Sequence, residues 1–278
     1  MAIKVAIAVL LAGCVLTISG AGTGSYAGWF LSGTVYAAAF VPFLLTGPIT
    51  FGKRFLGIWC AMAVAASFCT WTEYVIFVHA SQKERTTALV GAQVLFAIFS
   101  AVLAALAVWL KVGSKNLSAG RAIPARRVVA AIAGGGLIYL AVYYVFGGLV
   151  FQFLTKPYYS SGGRLGGAVE TVAALGWWFP LIQIGRGMLM TMAILPVLLG
   201  TRLPRMQRAL YGGLLLWGIG GLAPLIAPVA DMPRILREMH IFEIFTQNFP
   251  LGFLVTLVLV QRSARVVERE TVSNMAMR

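Results

Sequence analysis

Three ionisable side chains stand inside, or at the mouth of, long apolar runs: Glu73 in TEYVIF, Arg186 in IQIGRGM and Glu243 in HIFEIF. A charge placed in hydrocarbon is costly, so each is a candidate functional residue. Polar neighbours recur beside them at helical spacing. Gln183, Arg186 and Met190 form one stripe, with Pro180 a turn earlier. His240, Glu243 and Gln247 form another, with Asn248 adjacent, and Thr70 lies a turn below Glu73. Counted from Arg54, Arg202 and Arg262 at about 1.5 Å per residue, the three charges stand at about 28, 24 and 28 Å, one common level. The reading is a shared polar pocket built from Glu73, Gln183, Arg186, His240, Glu243, Gln247 and Asn248 as ligand-binding candidates. Tyr139, Tyr143, Tyr144 and Gln152 of a neighbouring run are further contributors.

What chemistry these residues support is bounded. One arginine between two carboxylates acts as a lock between helices, or as a site for a ligand. Two carboxylates sharing a cation in a poorly solvated site also hold a proton, which suits proton coupling. A metal reading would need His79, His240, Glu73 and Glu243, but no HExxH pattern is present. Neither histidine lies deep in a run, which argues against bis-histidine haem. GxSxG and phosphate-loop patterns are absent, and no nucleophile has an adjacent base. No catalytic residue, metal or cofactor is therefore expected, and binding is favoured over catalysis.

The elements that must position these residues follow from composition. Of 278 residues, 60% are hydrophobic and 11% charged, with mean hydropathy +0.88. A water-facing surface needs roughly 25% charged residues, so lipid is the solvent for most of this chain. Eight apolar runs approach or exceed the length needed to cross a bilayer: about 5–20, 27–45, 55–78, 88–110, 128–153, 172–199, 210–229 and 241–260. Because they are continuous rather than alternating, they are helices and not barrel strands. The fold expected is an all-α polytopic bundle of about eight helices, one transmembrane domain over 1–278 with a tail at 263–278. Seven spans is the competing count, since the first run is short. Clustered glycines, such as Gly134 to Gly136 and Gly212, Gly213, Gly218, Gly220 and Gly221, read as close-packing faces.

Net charge is +14, yet nearly all of it lies in short loops, which removes the nucleic-acid reading. Fifteen Lys and Arg residues fall on one side, in the groups around Lys4, Lys53, Lys111 to Arg127, Arg202 to Arg208 and Arg262 to Arg278. Six fall on the other: Lys83, Arg85, Lys156, Arg164, Arg234 and Arg237. The positive side is cytoplasmic, so both termini are expected inside a bacterial inner membrane. Trp29, Trp71, Trp177 and Trp178 then mark the outer boundary, and Trp59 and Trp109 the inner one. Cys14, Cys60 and Cys69 sit in apolar runs and suggest no disulfide framework. LAGC ending at Cys14 is like a lipoprotein signal, but its apolar run continues to Ile18, so an uncleaved first helix is expected.

An internal repeat is read at an offset of 154 residues, where Gly33 matches Gly187, Pro42 Pro196, Arg54 Arg208, Glu84 Glu238, Gln93 Gln247 and Phe99 Phe253. Its two parallel four-helix units would be 1–112 and 128–262. The segments YYVFGGLVFQ, FPLIQIGRGMLMTMAILP and MPRILREMHIFEIFTQNFPLGFL, with TEYVIF upstream, resemble an uncharacterised group of bacterial multi-pass membrane proteins. That resemblance covers about half the chain and implies a polytopic fold without an activity. Where this chain has Gly147-Gly148, the group is bulkier and aromatic, a departure that bears on pocket shape. The expectation is an inner-membrane protein whose outward-facing pocket binds or transports a small molecule or lipid headgroup. The alternatives are a non-catalytic subunit of a larger membrane complex, associating through its glycine-rich faces, and an intramembrane lipid-modifying enzyme.

Overall fold

The computed structural model describes residues 1–22, 25–48, 50–78, 80–113, 123–157, 168–227 and 234–260. His79, Met232, Pro233, Lys115, Arg121, Arg164 and the expected 263–278 tail lie outside the described residues. Among the described residues, eight helices are long and apolar enough to cross a membrane: α1 Ala2–Ser19, α2 Tyr26–Thr46, α3 Phe51–Phe77, α4 Gln82–Trp109, α5 Ala125–Thr155, α6 Trp178–Gly200, α7 Arg205–Ile226 and α8 Arg234–Leu259. The first is thus a full span, completed by a tighter turn through Gly22.

Most connections among the eight are short, and successive helices run antiparallel. The end of the bundle carrying Met1 is called proximal below, and the other end distal. Half or more of α3, α6 and α7 is buried, against about a quarter of α4 and α5. The former make the centre and the latter the lipid-facing rim. Large apolar side chains such as Val94, Leu137, Phe153 and Leu181 point outward and are exposed. In water that surface would be a liability, whereas in lipid it is the required one. Trp177, Trp178 and Trp109 are strongly exposed near helix ends, as interfacial anchors are.

Glycines set the helix crossings, because small residues let backbones approach in the absence of a hydrophobic drive between helices. A Cβ added at Gly187 of α6 would lie 2.6 Å from the Gly135 carbonyl oxygen of α5. Gly252 of α8 meets Gly212 of α7 in the same way, and Gly33 of α2 meets Gly13 of α1. In two of these crossings a buried threonine follows one turn on and returns its hydroxyl to the glycine carbonyl: Thr191 to Gly187 at 2.8 Å and Thr256 to Gly252 at 2.6 Å. Gln183 and Asn248 stand one turn before those glycines, so α6 and α8 carry one amide–glycine–threonine pattern. These glycine faces are spent inside the chain. Gly91, Gly134 and Gly185 have nothing near them.

Three helices are widened by π-type turns: α3 over Ala61–Phe68, α5 over Tyr143–Gly147 and Phe151–Thr155, and α7 over Gly218–Leu222. Such turns disrupt the regular ladder and cluster at functional sites. Amide side chains serve two of them. Gln93 of α4 donates Nε2 to Ala63 O at 2.8 Å and to Ser67 Oγ at 3.2 Å. Asn248 of α8 donates Nδ2 to Leu216 O at 3.3 Å.

Two boundaries differ from the sequence reading in ways that matter. The sixth run does not continue back to Val172: Gly176 takes φ +48°, and Ala168–Leu175 becomes a separate short helix at the distal end. The last helix begins at Arg234 rather than near Ile241, so Glu243 lies well inside it rather than at its mouth. A third difference concerns Arg54, read as a loop charge. It is fully buried at the proximal end, with Nε donating to Pro48 O at 2.7 Å and Nη2 to Val112 O at 2.5 Å and Leu44 O at 3.2 Å. The adjacent Lys53 made it read as one of a pair of loop charges, and a guanidinium reaching three carbonyls leaves no acidic partner to read.

Candidate functional site: a distal cavity between α3, α5, α6 and α8

Glu73 stands one turn before the distal end of α3, and Arg186 lies two turns into α6. Arg186 Nη2 pairs with Glu73 Oε1 at 2.8 Å, while Nη1 donates to Gln183 Oε1 at 2.8 Å. The guanidinium carbon lies 5.3 Å from the centroid of the Tyr139 ring of α5, within cation–π range. Cys69, one turn below Glu73, is buried beside this group. The pair is unevenly covered: the Arg186 side chain is 6% exposed and that of Glu73 is 32%. The cation is therefore sealed into the bundle, and the carboxylate is its accessible end.

On α8, three residues at spacings of three and four share one face, as helical geometry requires. His240 Nδ1 lies 2.7 Å from Glu243 Oε2, and Gln247 Nε2 donates to Glu243 Oε1 at 3.2 Å. Gly147 of α5 packs on this stripe, where a Cβ would come within 2.9 Å of Gln247 Nε2 and 3.4 Å of Glu243 Oε1. A larger residue at 147 would displace the Gln247 amide from this position.

Between the two polar groups lies a cavity of about 300 Å³. Its polar wall is Glu73, His240, Glu243 and Gln247, with Thr155 beside them. Its apolar wall includes Phe77, Tyr143, Tyr144, Phe151 and Phe179. The short distal helix adds Val169 and Val172, and Gly147 and Gly148 leave the space that side chains would fill. Phe179 is the hub of the aromatic wall, its ring centroid 5.8 Å from Tyr143 and 6.4 Å from both Tyr144 and Phe77.

Of the residues singled out from the sequence, Glu73, His240, Glu243 and Gln247 line this cavity. Gln183 and Arg186 stand directly behind Glu73, and both are buried. The Gln183 Nε2 makes no hydrogen bond among the described residues. Asn248 does not join them, because it turns toward the widened stretch of α7 and bonds the Leu216 carbonyl. Thr70 and Gln152 face away and are exposed. Tyr143 and Tyr144 line the cavity, and Tyr139 lies beneath Arg186.

Sequence reasoning missed the phenylalanines of the aromatic wall, Phe77, Phe151 and Phe179. Phe77 follows Glu73 by four residues, and Phe179 precedes Gln183 by four, so helical spacing from the charged residues was the available signal. Among the described residues, no three His, Cys, Asp or Glu side chains converge as a metal site.

Fold and lipid-facing surface together define a multi-pass helical membrane protein. No family model, curated protein or solved structure matches the chain.

Proposed function

We propose that the protein sits in a bacterial inner membrane with its distal cavity facing outward, and that the cavity binds a small molecule or lipid headgroup for uptake or sensing at that surface. The observation carrying this reading is the uneven Glu73–Arg186 pair on the wall of a real cavity. A purely structural lock would close the two groups on each other with no space left beside them. The charge count supports the orientation, since Lys4, Lys53, Arg126, Arg127, Arg202, Arg205 and Arg208 of the more basic side stand at the proximal end. Lateral association through glycine faces is less favoured, because Gly13, Gly33, Gly135, Gly187, Gly212 and Gly252 are used within the chain.

The test is chemical access. In a chain with Cys14, Cys60 and Cys69 replaced, Gln247→Cys should react with a small membrane-impermeant thiol reagent added outside intact cells. Val172→Trp, which fills the cavity from the short helix, should slow that reaction. A cysteine at 247 that reacts only from the cytoplasmic side, or not at all in purified protein, would overturn the reading.

A further inference from the structure

We propose that the ligand of the distal cavity is an organic cation, an ammonium group carried on a small apolar body. This rests on the reading of the cavity as a ligand site and names the chemistry that site selects. The fixed charges presented to the cavity are carboxylates: Glu73 from α3 and Glu243 from α8. Among the described residues that line it there is no Lys or Arg. Arg186 is near but stands behind Glu73, with its side chain 6% exposed. A ligand entering the cavity therefore meets the carboxylate and not the guanidinium.

Charge balance points the same way. Arg186 is permanently cationic and offsets one carboxylate. Glu243 has His240 at 2.7 Å, which supplies a positive charge only when protonated. Among the described residues that line or back the cavity, the two carboxylates have one permanent cation between them, and an ammonium group in the cavity would balance the second. An anionic headgroup would instead sit beside two carboxylates in a poorly solvated space, where like charges repel strongly.

The second observation is independent of charge. Tyr143, Tyr144, Phe77, Phe151 and Phe179 line the same cavity. Aromatic faces attract cations, most of all when water is excluded, and they suit alkylated ammonium groups that bring no hydrogen bonds of their own. At about 300 Å³ the space lies at the small end of known ligand pockets, enough for a headgroup-sized molecule. A charged nitrogen in this space would have both carboxylates and aromatic rings among its neighbours.

The experiment uses the purified full-length protein in detergent and three probes of one shape: benzyltrimethylammonium, its neutral carbon isostere neopentylbenzene, and benzylphosphonate. Saturable binding of the ammonium probe alone is expected by calorimetry. Glu243→Gln should weaken it on the order of tenfold, and Tyr144→Leu by a smaller factor. Each variant's melting profile is checked beside the wild type, and Tyr144→Leu stands in should Glu243→Gln fold poorly. Equal binding of the neutral probe, preference for the phosphonate, or no binding of any probe would overturn the cation assignment. If Gln247→Cys is still reactive from outside in that case, the cavity reading survives the loss. If that cysteine is unreactive, both fall.

Discussion

Arg186 rests over the ring of Tyr139 while its two terminal nitrogens are committed to Glu73 and Gln183. The guanidinium is thus held on three sides by α3, α5 and its own helix, and only the Glu73 end of the arrangement reaches open space. Removing the two partners of the pair should not be equivalent. Glu73→Gln leaves a sealed cation without its counter-charge, and losses of this kind cost about 3–5 kcal/mol. Arg186→Met leaves a carboxylate that is partly exposed and able to recruit water or a proton. The apparent melting temperature in detergent should therefore fall further for Glu73→Gln than for Arg186→Met. The reverse order would show that the carboxylate is the sealed member.

Packing at the α5–α6 crossing gives a second expectation. At Gly187 an added Cβ would meet the Tyr139 Cβ at 2.5 Å and the Gly135 oxygen at 2.6 Å, so the two helices must part to admit it. Gly187→Ala should destabilise by about 1–3 kcal/mol. Gly185→Ala, two residues away and facing open space, should be neutral or stabilising by up to about 1 kcal/mol through helix propensity. Thermal melting of the two variants side by side is the measurement, and equal losses would refute the crossing.

Arg54 anchors the proximal end through three backbone carbonyls, those of Pro48, Leu44 and Val112. Arg54→Met leaves these acceptors without their donor, at about 1–3 kcal/mol for each that stays dry. Arg54→Lys should recover little, because an ammonium cannot span the fork that a guanidinium presents. Faster proteolysis near Gly113, where the chain takes φ +101° against the Arg54 side chain, would report the loosened loop. Unchanged proteolysis and melting in both variants would remove Arg54 from this role.

Orientation is open to direct labelling. Lys83 is exposed at the distal end and Lys53 at the proximal end. In the cysteine-replaced background, Lys83→Cys should react with an impermeant reagent on intact cells, and Lys53→Cys only after the membrane is opened. The opposite pattern would invert the topology and turn the cavity toward the cytoplasm.

How far the sequence reached can be judged residue by residue. The eight spans were legible because lipid demands continuous apolar runs, and because Glu73, Arg186 and Glu243 are rare charges within them. The stripe of His240, Glu243 and Gln247 was legible from helical spacing alone. Asn248, adjacent in sequence, was misjudged because the widened stretch of α7 offers it a carbonyl on another face, and π-type turns have no sequence signature. The break at Gly176 was hidden by the apolar residues on both sides of it. Phe77 and Phe179 stood at helical spacing from Glu73 and Gln183, yet that signal is weak, since an aromatic in an apolar helix is ordinary whether it faces lipid or a ligand.

Along α5, Tyr143, Gly147, Phe151 and Thr155 all face the cavity, although each is four residues from the last. In an uninterrupted α-helix every such step rotates the side chain by about 40°, and Thr155 would end about 120° away from Tyr143. The two looser turns, Tyr143–Gly147 and Phe151–Thr155, take up this drift, and all four residues line the cavity. The depth of the chamber is thus set by how the backbone is wound, and a helix of regular pitch with the same side chains would enclose a shallower one.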